Sequence, residues 1–181
     1  MAKSLSIIIG STRTNRVGHS IAEWVGEQAK EAGFDEIKLL DLKEINLPKF
    51  DTPVPPQYAP LETAEAKAWA QQINDAQHIL VLTPEYNRSI PASLKSAIDY
   101  LSAEWNNKPV AIAGYGYIGA AANARKHLGE ILGFLKTDIV EETAGIQLGD
   151  ATLVDGAFTG AGVTSEETAI FDTVLTALAA K

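Results

Sequence analysis

The sequence predicts a doubly wound α/β fold, a five-stranded parallel sheet with helices on both faces. Short apolar runs without in/out alternation recur along the chain, as strands buried on both faces require. Between them lie longer segments with apolar residues at helical spacing, so that each of five strands is followed by a helix. Right-handed crossovers then carry the helices to both sides of the sheet.

The elements follow in order. Leu5 to Ile9, apolar except for Ser6, forms the first strand and stops at Gly10. Gly18 to Ala32 forms a helix with Ile21, Trp24, Val25 and Gln28 near one face and Gly33 as its C-cap. Ile37 to Leu42 is a second, weaker strand. Glu62 to Ala76 repeats Ala66, Trp69, Ala70 and Ile73 at helical spacing. His78 to Thr83 carries Ile-Leu-Val-Leu, the third strand. Pro91 to Ser102 opens with Pro in the first turn and repeats Leu94, Ala97, Ile98 and Leu101. Pro109 to Gly114 carries Val-Ala-Ile-Ala, Gly119 to Leu135 is the fourth helix, and Asp138 to Val140 is a weak fifth strand. Thr164 and Glu167 form a capping box ahead of the last helix, Thr168 to Ala180. Two stretches read as irregular: Pro48 to Pro60, with five prolines, and Gly145 to Gly162. Loops of that length in a compact domain are often functional or mobile. With no internal repeat or boundary, residues 1–181 read as one domain.

Composition narrows the function classes. Hydrophobic residues make up 46% and charged residues 21%, ordinary values for a globular chain. There is no Cys, so disulfides and thiolate metal sites are impossible. His19, His78 and His127 are far apart and match no metal-ligand spacing, which argues against a zinc enzyme. A formal net charge of −8 argues against a nucleic-acid partner, which needs a basic face. No apolar run approaches the roughly 20 residues of a membrane span. The run ending at Gly10 is too short for a signal peptide, so a cytoplasmic location is expected.

Ligands of open α/β sheets sit beyond the carboxyl ends of the strands, and three segments there are unusual. Gly10-Ser11-Thr12-Arg13-Thr14-Asn15-Arg16-Val17-Gly18 runs from a buried strand into a helix start, where free N–H groups and the helix dipole favour an anion. Four short polar side chains and two forked cations suit phosphate oxygens, beyond what a simple capped turn needs. Thr83-Pro84-Glu85-Tyr86-Asn87-Arg88-Ser89-Ile90-Pro91 sets an aromatic and an amide between fixed prolines, as a flat heteroaromatic ligand requires. The plainer alternative is that Ser89 caps the next helix and Tyr86 covers the edge of the core. Gly114-Tyr115-Gly116-Tyr117-Ile118-Gly119 matches G-x-G-x-x-G with Glu141 and Glu142 downstream, so a dinucleotide turn is one reading. That fingerprint belongs in the first βα unit and here lies in the fourth. The other reading has Gly114 and Gly116 admit one side of a planar ring, with Tyr115 or Tyr117 at its edge.

At these loops the chain resembles the NAD(P)H-dependent FMN reductases, a family with azoreductase-like and quinone- or chromate-reducing members. The opening Gly-Ser-x-Arg appears as Gly10, Ser11 and Arg13. The most specific stretch is Pro84-Glu85-Tyr86-Asn87-Arg88-Ser89-Ile90-Pro91 followed by Leu94-Lys95-Ser96-Ala97-Ile98-Asp99-Tyr100-Leu101. The resemblance spans roughly residues 5 to 135. It implies a flavodoxin-like fold with strand order 2-1-3-4-5, non-covalent FMN, NADPH or NADH as co-substrate, and a homodimer or homotetramer. Carried over by position, Ser11, Arg13, Asn15, Arg16, Val17 and Gly18 hold the phosphate. Pro84, Glu85, Tyr86 and Asn87 contact the isoalloxazine, and Gly114, Tyr115, Gly116, Tyr117 and Gly119 close its other side. Many members have Ser at Arg16, and often Ser or Gly at Tyr117, which here narrows access to the ring.

The implied chemistry is a two-step hydride exchange, from nicotinamide to FMN and on to a flavin, quinone, azo compound or metal oxyanion. It needs no side-chain acid, base or nucleophile, so no catalytic residue is named. The main alternative is a flavodoxin-type electron carrier; Arg13 argues against it, because carriers use a Ser/Thr-rich cradle. An NAD dehydrogenase built on the third loop and a flavin-bound regulatory protein are further alternatives. Trp24 and Trp69 read as core, His78 as a hydrogen-bonding strand residue, and Trp105 as core or subunit interface.

Overall fold

The computed structural model describes residues 2–181. Strands β1 (Ser4–Ile9), β2 (Glu36–Asp41), β3 (His78–Pro84) and β4 (Pro109–Gly116) pair in parallel in the order β2-β1-β3-β4. The fifth position is filled twice. β5 (Asp138–Ile139) pairs with the start of β4, and β6 (Ala144–Gln147) with its end, from Ala113↔Ala144 to Gly116↔Gln147. The order 2-1-3-4-5 is thus observed, but with a broken last strand.

Burial on both faces explains the unalternated strands. Leu5, Ile7 and Ile9 pack with Leu80, Leu82 and Ala111 on one face, under α1 (Gly18–Glu31) and α6 (Ser165–Ala179). Ile8, Ile79, Val81, Val110 and Ile112 face the other way. They meet α3 (Ala64–Asp75), α4 (Ala92–Asp99) and α5 (Ala122–Phe134). A four-residue helix α2 (Leu42–Ile45) follows β2, and β7 (Leu153–Val154) with β8 (Ala157–Phe158) forms a hairpin beside Trp24.

Several local features differ from the sequence reading, each for a physical reason. Gly145 to Gly162 is not wholly irregular, since β6 and the hairpin fall inside or at its start. Short strands containing glycine carry too little pattern to register. Helix α5 begins at Ala122 rather than Gly119, because Gly119, Ala120 and Ala121 have φ of 58°, 48° and 62°. Pro91 is the N-cap of α4 rather than a first-turn residue, and Ser89 does not cap it; the Ser89 hydroxyl meets His127 Nδ1 at 2.7 Å. Thr164 and Glu167 do form the reciprocal capping box. His78 bonds across to Ser4 O at 3.1 Å.

Trp105 is core, not surface. It is fully buried, and its Nε1 donates to Ile98 O at 3.2 Å. Trp69 Nε1 donates to Ala97 O at 2.7 Å. Each indole thus donates to a carbonyl in the last turn of α4, and Ile98 O also accepts from Leu101 N at 3.2 Å. Tyr100 OH donates to Pro48 O at 3.0 Å and tethers the start of the proline-rich stretch, which has no helix or strand.

Candidate functional site

The three loops converge at the carboxyl edge of β1, β3 and β4 around a cleft of about 310 Å³. Ser11, Arg13, Asn15, Arg16 and Val17 line one side, Pro84, Glu85 and Tyr86 the floor, and Tyr115, Gly116 and Tyr117 the other side, with Leu148. Of the residues singled out in the sequence, Gly18, Asn87, Gly114 and Gly119 lie outside this lining.

The first loop ends in an open helix start. The N-cap of α1 is Val17, which offers no side-chain cap, and no acidic residue stands in the first turn. Arg16 is largely buried and paired to Asp41 through Nη2, yet its Nε is buried without a partner. Asp41 also accepts from Lys43 N at 3.0 Å, so the end of β2 holds the guanidinium in place. Arg13 is exposed, with its guanidinium carbon 5.9 Å from the centre of the Tyr86 ring. Ser11 is buried, and its Oγ lies 2.8 Å from Tyr86 OH, tying the first loop to the second.

The second loop turns back in two residues. Tyr86 N donates to Ser89 O at 2.9 Å and Ser89 N to Tyr86 O at 3.0 Å. Asn87 and Arg88 at its tip have φ of 50° and 65°, the left-handed pair of a type I′ turn. An arginine in that region is strained, as backbone near functional sites often is. The turn uses up the Tyr86 amide and puts the exposed Asn87 at the tip.

Glu85 does more than line the cleft. Its carboxylate accepts from Asn123 N at 3.0 Å, Ala124 N at 3.1 Å and Asn123 Nδ2 at 3.1 Å. It therefore caps α5, the helix that the G-x-G-x-x-G segment leads into. A dinucleotide turn would offer that helix start to a pyrophosphate; here a carboxylate already fills it.

The glycines of the third loop divide between two tasks. Gly116 lines the cleft, whereas Gly114 makes room for protein: a Cβ there would lie 2.8 Å from Arg125 Cγ and 2.9 Å from Ala121 Cβ. Arg125 runs beneath the loop, donating from Nη1 to Thr143 O at 2.9 Å and Oγ1 at 2.7 Å, and from Nε to Ala120 O at 3.2 Å. Gln147 clamps the loop from the other side. It donates to Tyr117 O and accepts from Ala120 N at 3.1 Å. Tyr115 is buried, and that burial, with the neighbouring Tyr86 phenol adding to it, pushes its phenol pKa up, so the hydroxyl stays protonated. A Cβ on Gly18 would come within 2.5 Å of that hydroxyl, so Gly18 is what lets α1 and the third loop meet. Tyr117 and Ile118 are 67% and 85% exposed and form an apolar rim.

Asp41, Arg125, Gln147 and Leu148 went unnoticed in the sequence. Asp41 ends a strand beside β1, so its position next to the first loop was available as a signal. The other three depend on β6 and the broken edge. Among the described residues no His, Asp and Glu group is placed to hold a metal ion, and no helix is long and apolar enough to cross a membrane.

Comparison with known proteins agrees with this geometry. The profile of the family described as NADPH-dependent FMN reductase matches residues 4–149. An NAD(P)H-dependent FMN reductase of Schizosaccharomyces pombe is 37% identical over 153 residues, covering 83% of this chain and 76% of that protein. A 2-hydroxy-1,4-benzoquinone reductase of a Burkholderia species is 34% identical, covering 77% and 74%. Among solved structures, the flavoenzyme NAD(P)H:(acceptor) oxidoreductase FerB of Paracoccus denitrificans superposes with a TM-score of 0.76 at 22% identity, over 99% of this chain and 98% of that one. The fold is therefore flavodoxin-like, and the chain belongs to the NADPH-dependent FMN reductase family.

Proposed function

We propose that residues 1–181 form one FMN-binding domain that takes hydride from NADPH or NADH and passes it to small acceptors such as quinones, free flavins, azo compounds or metal oxyanions. One contrast carries the reading. Of the two helix starts beside the cleft, that of α5 is closed by the Glu85 carboxylate, while that of α1 is uncapped and has the unpartnered Arg16 Nε near it. An uncapped helix start with two arginines fits a phosphate monoester, and the tyrosine-lined cleft beyond it fits a planar ring.

In this assignment Ser11, Arg13, Asn15, Arg16, Val17 and Gly18 bind the phosphate. Pro84, Tyr86 and Asn87 border the ring on one side, and Tyr115, Gly116 and Tyr117 on the other. Glu85, Gly114 and Gly119 shape the loops rather than grip the ligand through their side chains. Bound FMN supplies the hydride-transfer chemistry. The protein's own work is to orient the ring, to keep the Tyr115 hydroxyl protonated as a donor, and to leave one open face over which donor and acceptor alternate. That alternation gives ping-pong kinetics. The benzoquinone reductase likeness supports a quinone among the acceptors. Assembly into a homodimer or homotetramer and a cytoplasmic location belong to the same proposal.

The purified protein, loaded with FMN, is expected to show the visible flavin absorption and to oxidise NADPH faster when a benzoquinone is added. A protein that remains colourless after incubation with FMN contradicts the reading.

A further inference from the structure

The third loop holds a conformation that its own residues disfavour. Gly119, Ala120 and Ala121 follow one another with φ of 58°, 48° and 62°, and the left-handed region is strained for an alanine. Such backbone persists only where its surroundings fix it. We propose that Gln147 fixes it, and that by doing so Gln147 sets how wide an acceptor the cleft admits. The proposal rests on the FMN reductase reading above.

Gln147 acts from outside the cleft: its neighbour Leu148 is part of the lining, and Gln147 is not. Its side-chain amide bridges the loop. Nε2 donates to Tyr117 O, and Oε1 accepts from Ala120 N at 3.1 Å, so one group spans Ile118 and Gly119. Arg125 also bonds this stretch, from Nε to Ala120 O at 3.2 Å, but it does not reach Tyr117. Among the described residues, Gln147 is the only hydrogen-bond partner of the Tyr117 carbonyl.

Gln147 is itself braced from two sides. Within the sheet it pairs with Gly116, and Leu148 N donates to Gly116 O at 2.9 Å. β6 pairs only with β4, which leaves its outer edge open. There Gln147 N donates to Glu167 Oε1 at 2.7 Å. The other oxygen of that carboxylate accepts from Thr164 N at 2.8 Å and Thr164 Oγ1 at 2.9 Å, within the capping box of α6. Glu167 and Gln147 thus join the start of α6, the edge of the sheet and the mouth of the cleft.

The clamped segment is the rim on the third-loop side. Tyr117 lines the cleft, and Ile118 stands beside it, both well exposed. Side chains so exposed have little packing to hold them, so their position follows the backbone that carries them. With Gln147 in place the rim is a fixed lip, and an acceptor ring has to fit within it. Without Gln147 the strain at Ala120 and Ala121 is no longer opposed, and the lip yields to a wider ring.

The test replaces Gln147 with Leu, which keeps much of the side-chain volume and removes both bonds, with thermal melting to confirm folding. FMN-loaded wild type and Gln147→Leu are compared with single-ring 1,4-benzoquinone and two-ring 2-methyl-1,4-naphthoquinone as acceptors. In ping-pong kinetics the donor step is common to both acceptors and drops out of the ratio of their kcat/KM. The variant should raise the naphthoquinone-to-benzoquinone ratio by about tenfold, mainly through KM for the naphthoquinone. A ratio that falls, or stays within about twofold of wild type, overturns the proposal. In the flavin-free protein the Ala120 N–H should exchange with solvent at least about fivefold faster in the variant, because its acceptor is gone. Equal exchange also overturns the proposal. If Gln147→Leu does not melt cooperatively, Gln147→Glu, which loses the donor to Tyr117 O, takes its place in the kinetic comparison. If wild type reduces neither quinone, the functional reading fails and the selectivity falls with it, whereas the exchange measurement still decides whether Gln147 holds the lip.

Discussion

Replacing Arg13 with Ala should weaken FMN binding by roughly ten- to hundredfold while leaving the fold intact. The expectation follows from where the side chain stands. Arg13 is exposed at the mouth of the cleft, and its one notable contact is the face of the Tyr86 ring, 5.9 Å away. A cation over an exposed ring contributes only about 0.5–1 kcal/mol. A charge-assisted bond to a phosphate contributes about 1.5–3 kcal/mol, which converts to roughly ten- to hundredfold in affinity. Ligand affinity therefore falls much further than stability. Arg13→Lys should recover part of the loss, since an ammonium keeps the charge but not the forked geometry. Quenching of flavin fluorescence during titration measures the affinity, and thermal melting the stability. Equal FMN affinity in Arg13→Ala and wild type would remove Arg13 from the cradle.

The largest stability effect is expected at Trp105. Trp105→Ala removes a fully buried indole from the layer beneath α3 and α4, and frees Ile98 O from its side-chain donor. Large-to-small changes of this kind cost about 3–5 kcal/mol. For a chain of this size that lowers Tm by roughly 6–20 °C. Trp105→Phe keeps much of the packing and loses the hydrogen bond, so it should fall between the two. The pair of variants separates core from interface. If Trp105 held subunits together, melting would depend on protein concentration, and dilution would reproduce the defect; a core residue gives a loss that dilution does not change.

Trp105 also shows where the sequence stops being legible. It stands in Glu104-Trp105-Asn106-Asn107, a polar setting that suggests the surface. Its burial comes from a one-turn 3₁₀ helix that folds the indole back under α4, and no local pattern announces that. The strands were legible for the opposite reason: runs such as Ile79 to Leu82 face helices on both sides and need no partner to be recognised. β6 was not, because Ala144–Gln147 is short and is defined by its pairing with β4.

The site was legible in its parts rather than in their roles. The first loop reads as polar and cationic at a helix start, and the structure brings Ser11, Arg13, Asn15, Arg16 and Val17 to one wall of the cleft. Glu85 and Gly114 were grouped with the ring contacts because they lie within the same loops. Their partners, the amides of α5 and the Arg125 side chain, come from elsewhere in the chain, and only the folded molecule shows that one caps a helix and the other makes room. The same contact settles the G-x-G-x-x-G motif: a carboxylate already occupies the helix start that a dinucleotide turn would need.

We assign the open start of α1, with Arg13 and Arg16 beside it, as the phosphate anchor of the cofactor. Titrating the flavin-free protein with FMN and with riboflavin tests it most directly, because the two ligands share the ring and differ in the phosphate. Two or more charge-assisted bonds at the anchor predict that FMN binds at least about hundredfold more tightly. Equal affinity for FMN and riboflavin would contradict the account.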